Sequence, residues 1–175
     1  MRHPSPTERL FFREWSMEDL PQAWILWGEP EVTRFIGGPF SRVDVEARLV
    51  RELETAASRG IQYWPIFTRA DGEFVGCCGL RPYQSDAAVY ELGVHLRRIA
   101  WGRGYAAEAA RAAIEFAFNN LKAERLFAGH HPENDASRQL LAKLGFRYER
   151  DELYAPTGLR HPSYFLAREQ VGREG

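Results

Sequence analysis

Residues Tyr90–Ala107, YELGVHLRRIAWGRGYAA, carry the strongest structural signal in the chain. An apolar strand ends near Leu96, and the turn Gly102-Arg103-Gly104 then opens a long helix. Glycine permits backbone angles closed to other residues, and the first amides of a helix have no partner within it. The helix dipole is also positive at this end. Together these features predict a binding site for a pyrophosphate group at the turn.

The segments around this stretch alternate between strand and helix patterns. Seven segments have the composition and spacing of strands: Arg9–Trp15, Tyr63–Thr68, Glu73–Leu80, Val89–Leu96, Arg125–His130, Phe146–Tyr154 and Ser163–Arg168. Helices are predicted at Met17–Gly28, Ser41–Ser58, Arg103–Leu121 and Asn134–Leu144. No repeat or linker divides the chain, so residues 1–175 are predicted to form a single α/β (α+β) domain with a mixed sheet.

Composition narrows the class of protein. The 175 residues carry 23 basic and 24 acidic side chains, and this net charge of -1 argues against direct nucleic-acid binding. No apolar run approaches the roughly 18 residues of a membrane span, and the N-terminus lacks the apolar core of a secretory signal. We therefore expect a cytoplasmic protein without membrane contact, with short mobile tails at Met1–Pro6 and Val171–Gly175.

Cysteine usage gives no disulfide or metal framework. Cys77 and Cys78 are adjacent, and neighbouring cysteines rarely reach ordinary disulfide geometry. No pair of C-x-x-C motifs is present to ligate zinc. The two cysteines are interpreted as packing residues in a strand, and no metal is expected.

A dinucleotide-binding fingerprint is the rival interpretation of the glycine turn. Gly102–Ala107 formally fits G-x-G-x-x-G/A. That fingerprint requires its first glycine directly after the strand, in the first unit of a doubly wound sheet. Here five residues separate Leu96 from Gly102, and the chain after the central helix is too short for the remaining strands. NAD or NADP binding is therefore poorly supported.

Two longer motifs resemble a known family. Leu96–Ala109 (LRRIAWGRGYAAEA) resembles the acetyl-CoA-binding motif of the GNAT N-acetyltransferase superfamily, and Asn134–Phe146 (NDASRQLLAKLGF) resembles its second motif, N-x-x-S followed by L-G-F. Thr7–Leu10, Trp15–Leu20 and Pro30–Ile36 resemble the branch that acetylates the N-termini of ribosomal proteins. Two motifs in the expected order are far more specific than one glycine turn.

The resemblance, which covers residues 7–168, implies a fold and a reaction. The fold would be a mixed, mostly antiparallel sheet of about seven strands flanked by helices, with two strands splayed into a V-shaped cleft. The reaction would transfer an acetyl group from acetyl-CoA to a primary amine, on a protein N-terminus or a small molecule. The amine would attack the thioester directly in a ternary complex, so that catalysis depends largely on positioning.

The resemblance also assigns residues to the cosubstrate. The turn and helix start, Gly102, Arg103, Gly104, Tyr105 and Ala106, would hold the pyrophosphate through their backbone amides. The strand backbone near Val94 and Leu96 would pair with the pantetheine arm. Asn134 would hydrogen-bond the cosubstrate from the second motif.

One position departs from the family pattern. The usual signature is Q/R-x-x-G-x-G/A, and Ile99 stands at its first position. Arg98 lies one residue away, and Arg97, Arg98 and Arg103 all bring positive charge near the phosphates. Whether Arg98 replaces the missing contact stays open at this point. Because of this departure, one alternative to a transferase remains: a non-catalytic acyl-CoA-binding module of the same fold.

Glu91 is the preferred general base. An amine must be neutral to attack; an α-amine titrates at about 7.7–8.0 and a lysine at about 10.4, so a proton acceptor is useful. Strand alternation places Glu91 and His95 on the face opposite Val94 and Leu96. A carboxylate on an apolar sheet is costly unless it is exposed or paired. Glu91 is therefore either catalytic or the ion-pair partner of an arginine.

Ser137 is the candidate acid for the departing CoA thiolate. Its local alternative is the third position of a helix capped by Asn134, and capping by Asn134 is compatible with ligand contact. His130 and His131, adjacent at a strand end, are interpreted as surface residues rather than metal ligands. Trp101 is either a core residue or a cover for the cosubstrate.

The acceptor is not named by any motif. Loops at Phe35–Phe40 and Tyr154–Pro162 are expected to contact it. An exposed final strand would also allow a homodimer through edge pairing.

Overall fold

A computed structural model of the chain describes residues 2–84 and 86–171. The tail predictions for Met1 and for residues 172–175 lie outside the described residues. Within residues 2–6, which the sequence predicts to be mobile, Pro4 is buried. The carbonyl oxygen of Arg2 accepts a 3.0 Å hydrogen bond from Trp64 Nε1. This short segment therefore packs against the domain.

The described residues form one seven-stranded sheet in the order β1-β2-β3-β4-β5-β7-β6. The strands are β1 (Leu10–Phe12), β2 (Tyr63–Thr68), β3 (Phe74–Tyr83), β4 (Asp86–Leu96), β5 (Arg125–Gly129), β6 (Arg147–Tyr154) and β7 (Leu159–Ala167). The helices are α1 (Leu20–Trp27), α2 (Pro30–Thr33), α3 (Arg42–Arg59), α4 (Tyr105–Asn119), α5 (Asp135–Lys143) and α6 (Arg168–Val171). Only β4 and β5 pair in parallel, so the mixed, mostly antiparallel sheet is confirmed.

The first strand is shorter than predicted. It ends at Phe12 because the backbone beyond it leaves the ladder for side-chain partners. Arg13 pairs with Asp19 through two hydrogen bonds of 2.7 and 2.6 Å, and the Trp15 amide donates to Gln62 Oε1 at 2.9 Å. These contacts turn the chain toward α1.

The sheet separates two hydrophobic clusters. Adjacent β2 residues Tyr63 and Trp64 point to opposite faces, as the two-residue period of a strand requires. Cys77 and Cys78 divide in the same way, and burial raises the pKa of both thiols. Helix α4 covers the Trp64 face with fully buried alanines such as Ala113, whereas α1 and α3 cover the Tyr63 face.

The expected cleft arises where β4 leaves β5. The two strands pair only from Val89 with Arg125 to Glu91 with Phe127. Beyond that point β4 continues along β3, whereas β5 continues along β7. The strands therefore diverge after Glu91 and open a V-shaped cleft in the sheet.

The prediction of an exposed final strand is wrong. Strand β7 lies inside the sheet, paired with β5 on one side and β6 on the other. The hairpin between β6 and β7 folds β6 outward, so β1 and β6 are the edges. Among the described helices, none is long and apolar enough to cross a membrane.

Candidate active site

A cleft of about 700 Å³ occupies the space between the diverging strands. The predicted site residues that line it are Glu91, Val94, Leu96, Gly102, Ala106, Asn134 and Ser137. Arg103, Gly104 and Tyr105 belong to the same turn and helix start but do not line the cleft. We call the region around residues 102–107 the carrier end and the region around Glu91 the acceptor end.

The glycine turn adopts backbone angles that favour glycine. Gly102 and Gly104 have φ angles of +73° and +79°. A Cβ atom at Gly102 would meet nothing within 4 Å, so the backbone angle and not crowding favours glycine there. In the part of the chain that the structure describes, the amides of Gly102–Ala107 donate to no protein acceptor. These unpaired N–H groups stand at the positive end of α4.

The first turn of α4 is held by the N-terminal segment. Arg9 Nη1 donates to the Arg103 carbonyl at 2.9 Å, and the Arg9 amide donates to Glu108 Oε1 at 2.9 Å. Thr7 Oγ1 donates to the same carboxylate at 2.6 Å. Burial pushes the pKa of Glu108 upward, but hydrogen bonds from Thr7 and Arg9 outweigh it and hold the pKa below its ordinary value. Glu108 therefore stays ionised and binds Thr7 and Arg9, the residues just before β1, to helix α4.

The arginines near the turn have different partners. Arg97 Nη1 donates to the Phe74 carbonyl at 2.6 Å, and Arg98 Nε lies 2.7 Å from a carboxylate oxygen of Glu31. Arg103 is exposed. The Arg98 guanidinium is thus paired with α2 in this structure, while Ile99 is exposed.

Trp101 lies beside the turn and is half exposed. Its indole Nε1 donates to the Leu96 carbonyl at 2.9 Å. The side chain therefore fixes the end of β4 next to the unpaired amides, and it lines the cleft.

Glu91 marks the vertex of the cleft, at the last paired position of β4 and β5. Its Oε1 lies 3.4 Å from the Tyr63 hydroxyl, which donates to it. Burial raises the pKa of Glu91 above its ordinary value, against the opposing charge of Arg81. Among the described residues Glu91 forms no ion pair, because Arg81 pairs with Glu52 instead. The ion-pair interpretation of Glu91 is therefore wrong.

Asn134 and Ser137 lie together at the start of α5. Asn134 Oδ1 accepts a 3.1 Å hydrogen bond from the Ser137 amide, which confirms the predicted cap. Both residues are half-buried and line the cleft. Ser137 Oγ makes no hydrogen bond to any described residue. The local role thus uses the Ser137 backbone and leaves its hydroxyl for other chemistry.

The interpretation of His130 and His131 as surface residues is wrong. Their exposed fractions are only 5% and 9%. His130 Nδ1 donates to the His131 carbonyl at 2.8 Å, and the His131 ring centroid lies 4.8 Å from that of Phe35. The end of β5 is buried because the loop after α2 and residue Tyr164 of β7 cover it.

The two predicted acceptor loops meet over this end of the cleft. Phe35, Tyr154 and His161 all line it. A Cβ atom at Gly37 would lie 2.8 Å from Pro156 Cβ, so the loops are in contact there. The two loops therefore contribute side chains to the same end of the cleft.

Several charged and aromatic residues of the acceptor end were missed from the sequence. They are Arg48, Tyr63 and Arg81, all lining the cleft. Glu52, only 1% exposed, supports them: its Oε2 accepts from the Tyr63 amide at 2.8 Å and its Oε1 accepts from Arg81. These residues come from distant parts of the chain and form no motif. The one signal in the sequence was that two charged residues, Arg48 and Glu52, fall on the buried face of α3.

Comparisons with known proteins agree with the resemblance that the two sequence motifs show. The acetyltransferase (GNAT) domain family matches residues 9–147. The chain belongs to the GNAT acetyltransferase family. An uncharacterized N-acetyltransferase, p20 of Bacillus licheniformis, is 31% identical over 145 residues, or 82% of each chain. The protein is therefore an acetyltransferase.

Solved structures share the fold. A GNAT-family acetyltransferase from Bacillus anthracis superposes with a TM-score of 0.81 at 22% identity, covering 95% of this chain and 98% of the other. RimJ of Mycobacterium smegmatis, solved in complex with CoA-disulfide, gives a TM-score of 0.80 at 19% identity, covering 98% and 92%. The GNAT fold predicted from the two motifs is confirmed.

Proposed function

We propose that this acetyltransferase uses acetyl-CoA and acetylates a primary amine. The observation that carries the proposal is the row of unpaired amides at Gly102–Ala107, at one end of a cleft whose vertex holds Glu91. Unpaired amides at a helix N-terminus favour a phosphate group without help from any side chain. In its solved complex, the structurally similar RimJ binds a CoA derivative.

The carrier would lie along β4 from the turn toward Glu91. Its diphosphate would accept hydrogen bonds from the amides of residues 102–106, with the exposed Arg103 adding positive charge. Strand β4 has no β5 partner between Leu92 and Leu96, so its backbone near Val94 is available to the pantetheine arm. Asn134 also lines the cleft and would contact the same arm.

The transfer step would need no covalent enzyme intermediate. The neutral amine attacks the thioester carbonyl carbon, the C–N bond forms and the C–S bond breaks. Glu91 takes the ammonium proton, directly or through a water, and a raised pKa suits a base working near neutral pH. Ser137 gives a proton to the CoA thiolate and regains one from solvent. Cys77 and Cys78 are outside the cleft lining, and burial raises their thiol pKa values.

The test separates an enzyme from a binding module. The protein is incubated with acetyl-CoA and a panel of small amines and peptide N-termini, while free thiol and acetylated product are measured. Calorimetry measures acetyl-CoA binding in parallel. Binding with amine-dependent thiol release is the expected result. Binding without turnover would favour the non-catalytic module, and absence of binding would overturn the whole proposal. A cytoplasmic location and a homodimer stay predictions.

A further inference from the structure

Arg48 carries a buried guanidinium that lies against aromatic rings but has no hydrogen-bond acceptor among the described residues. It lies on α3, is 6% exposed and lines the cleft at its acceptor end. Its Cζ atom sits 4.8 Å from the Trp27 ring centroid and 6.0 Å from that of Phe40. Among the described residues it forms no hydrogen bond and no ion pair, and its Nε is sealed from solvent without a partner.

The carboxylate that could have neutralised Arg48 is committed elsewhere. Both oxygens of Glu52 are used, one by Arg81 and the other by the Tyr63 amide. Glu91 interacts with the Tyr63 hydroxyl instead. The acceptor end therefore holds two guanidinium groups, of Arg48 and Arg81, and two carboxylates, of Glu52 and Glu91, whose hydrogen bonds go to groups other than Arg48.

His95 does not supply the missing anion either. Its Nδ1 accepts a 3.1 Å hydrogen bond from Trp27 Nε1. Burial, with the charges of Arg48 and Arg81, holds the pKa of His95 well below its ordinary value. The imidazole is neutral and offers Arg48 no counter-charge, so the guanidinium stays without a hydrogen-bond acceptor among the described residues.

We infer that Arg48 binds a carboxylate of the acceptor, and that the acceptor is a small molecule with both an amine and a carboxylate. A buried charge is costly unless it is paired, and guanidinium matches a carboxylate through two parallel hydrogen bonds. The rings of Trp27 and Phe40 hold the guanidinium in place before the ligand arrives. This inference rests on the proposed function, because the amine of the same molecule is the group that Glu91 deprotonates.

A carboxylate site at Arg48 favours a free amino acid over a polypeptide N-terminus as the acceptor. In a protein N-terminus the α-carboxyl group is consumed in a peptide bond, whereas a free α-amino acid keeps it next to the amine. The Arg48 and Glu91 side chains line the same cleft, as such a compact molecule requires.

The experiment compares matched acceptors in matched variants. The common L-α-amino acids, their carboxamides and aminoalkylphosphonates are assayed with the wild-type protein and with Arg48→Gln, Arg48→Lys and Arg51→Gln. Arg51 lies on α3 one turn away, is exposed and does not line the cleft, so it controls for loss of a charge. Because amidation also lowers the pKa of the amine, the ratio of kcat/KM for acid and amide is compared between variants. This ratio does not depend on the fraction of folded protein.

We expect Arg48→Gln to lower the acid-to-amide ratio by about tenfold or more, Arg48→Lys to lower it less, and Arg51→Gln to leave it unchanged. An unchanged acid-to-amide ratio in Arg48→Gln, or a preference of the wild type for the phosphonates, overturns the inference about Arg48. The proposed function still stands in that case if acetyl transfer to any amine is observed. If no acceptor is acetylated, calorimetry measures whether the amino acids bind to the CoA-saturated protein and to its Arg48 variants. Binding that depends on Arg48 then supports the carboxylate site, and absence of binding overturns it.

Discussion

The carrier end and the acceptor end of the cleft are built from different groups. The carrier end consists of backbone amides from consecutive residues, Gly102–Ala107, at the start of one helix. The acceptor end consists of side chains from α3, β2, β3 and β4, among them Arg48, Tyr63, Arg81 and Glu91. Backbone groups keep their chemistry when side chains change, whereas a side-chain site changes with every substitution. A binding site made of backbone amides can therefore stay the same across a family, whereas a site made of side chains can differ from one member to the next.

The largest effect is expected at the vertex. Glu91→Gln should lower kcat/KM by about 100-fold or more, because the neutral amide cannot take the ammonium proton. Burial raises the pKa of Glu91, and only its ionised form is a base, so the wild-type rate should fall as pH drops through that raised pKa. In the variant this acid limb should vanish from the pH–rate profile.

The matched control for this change is Glu46→Gln, which removes an exposed carboxylate from α3. A folded state in which the Glu91 pKa is raised gains stability at low pH and loses it as pH rises. Glu91→Gln should therefore be no less stable than the wild type at neutral pH in a thermal melt. If its rate and acid limb match those of the wild type, Glu91 is not the base.

A proline tests the backbone character of the carrier end. Ala106→Pro removes one unpaired amide, and a proline at the second helical position is already tolerated in this chain at Pro21 of α1. We expect acetyl-CoA affinity, measured by calorimetry, to fall about 10- to 100-fold, since hydrogen bonds to charged groups are lost. Val43→Pro makes the same change in α3 at an exposed site and should bind normally. Equal affinities in all three proteins would contradict the role of the amides.

A smaller effect is expected for Ser137→Ala. The Asn134 cap uses the Ser137 amide, so the helix stays capped while the hydroxyl is lost. We expect kcat to fall by less than about tenfold, because a thiolate with a pKa near 8.5 leaves with little help. Acetyl-CoA affinity should not change, and neither value should change in the exposed control Ser58→Ala. A fall in affinity with kcat intact would mean that Ser137 binds the carrier instead.

The smallest effect concerns backbone conformation alone. Gly102→Ala and Gly60→Ala both place a side chain at a positive φ, +73° and +70°, where nothing lies within 4 Å. Each should lower the free energy of unfolding by about 1 kcal/mol in urea titrations. Only Gly102→Ala should also weaken acetyl-CoA binding, by a few fold. A loss of stability without any loss of binding would show that the turn tolerates the change.

The same contrast explains what could be predicted from the sequence. The conformation of the glycine turn was predictable because its residues are contiguous and the need for a positive φ is local. Strand alternation likewise predicted that Glu91 and His95 share one face of β4, where Tyr63 contacts both. The buried positions of His130 and His131 depend on covering by distant loops, and the burial of Arg48 against Trp27 arises only through tertiary packing. Pairing order, which places β7 inside the sheet, is also a property of the assembled sheet and not of one segment.

The clamp between Arg9 and Glu108 joins residues 99 positions apart in the chain. Replacing the leading residues with an affinity tag, or randomising them in a library, would remove contacts that hold the glycine turn and the start of α4. Recombinant versions should therefore keep Thr7 and Arg9 and carry any fusion at the other terminus. The leading segment therefore contributes to the start of α4 as directly as the turn itself does.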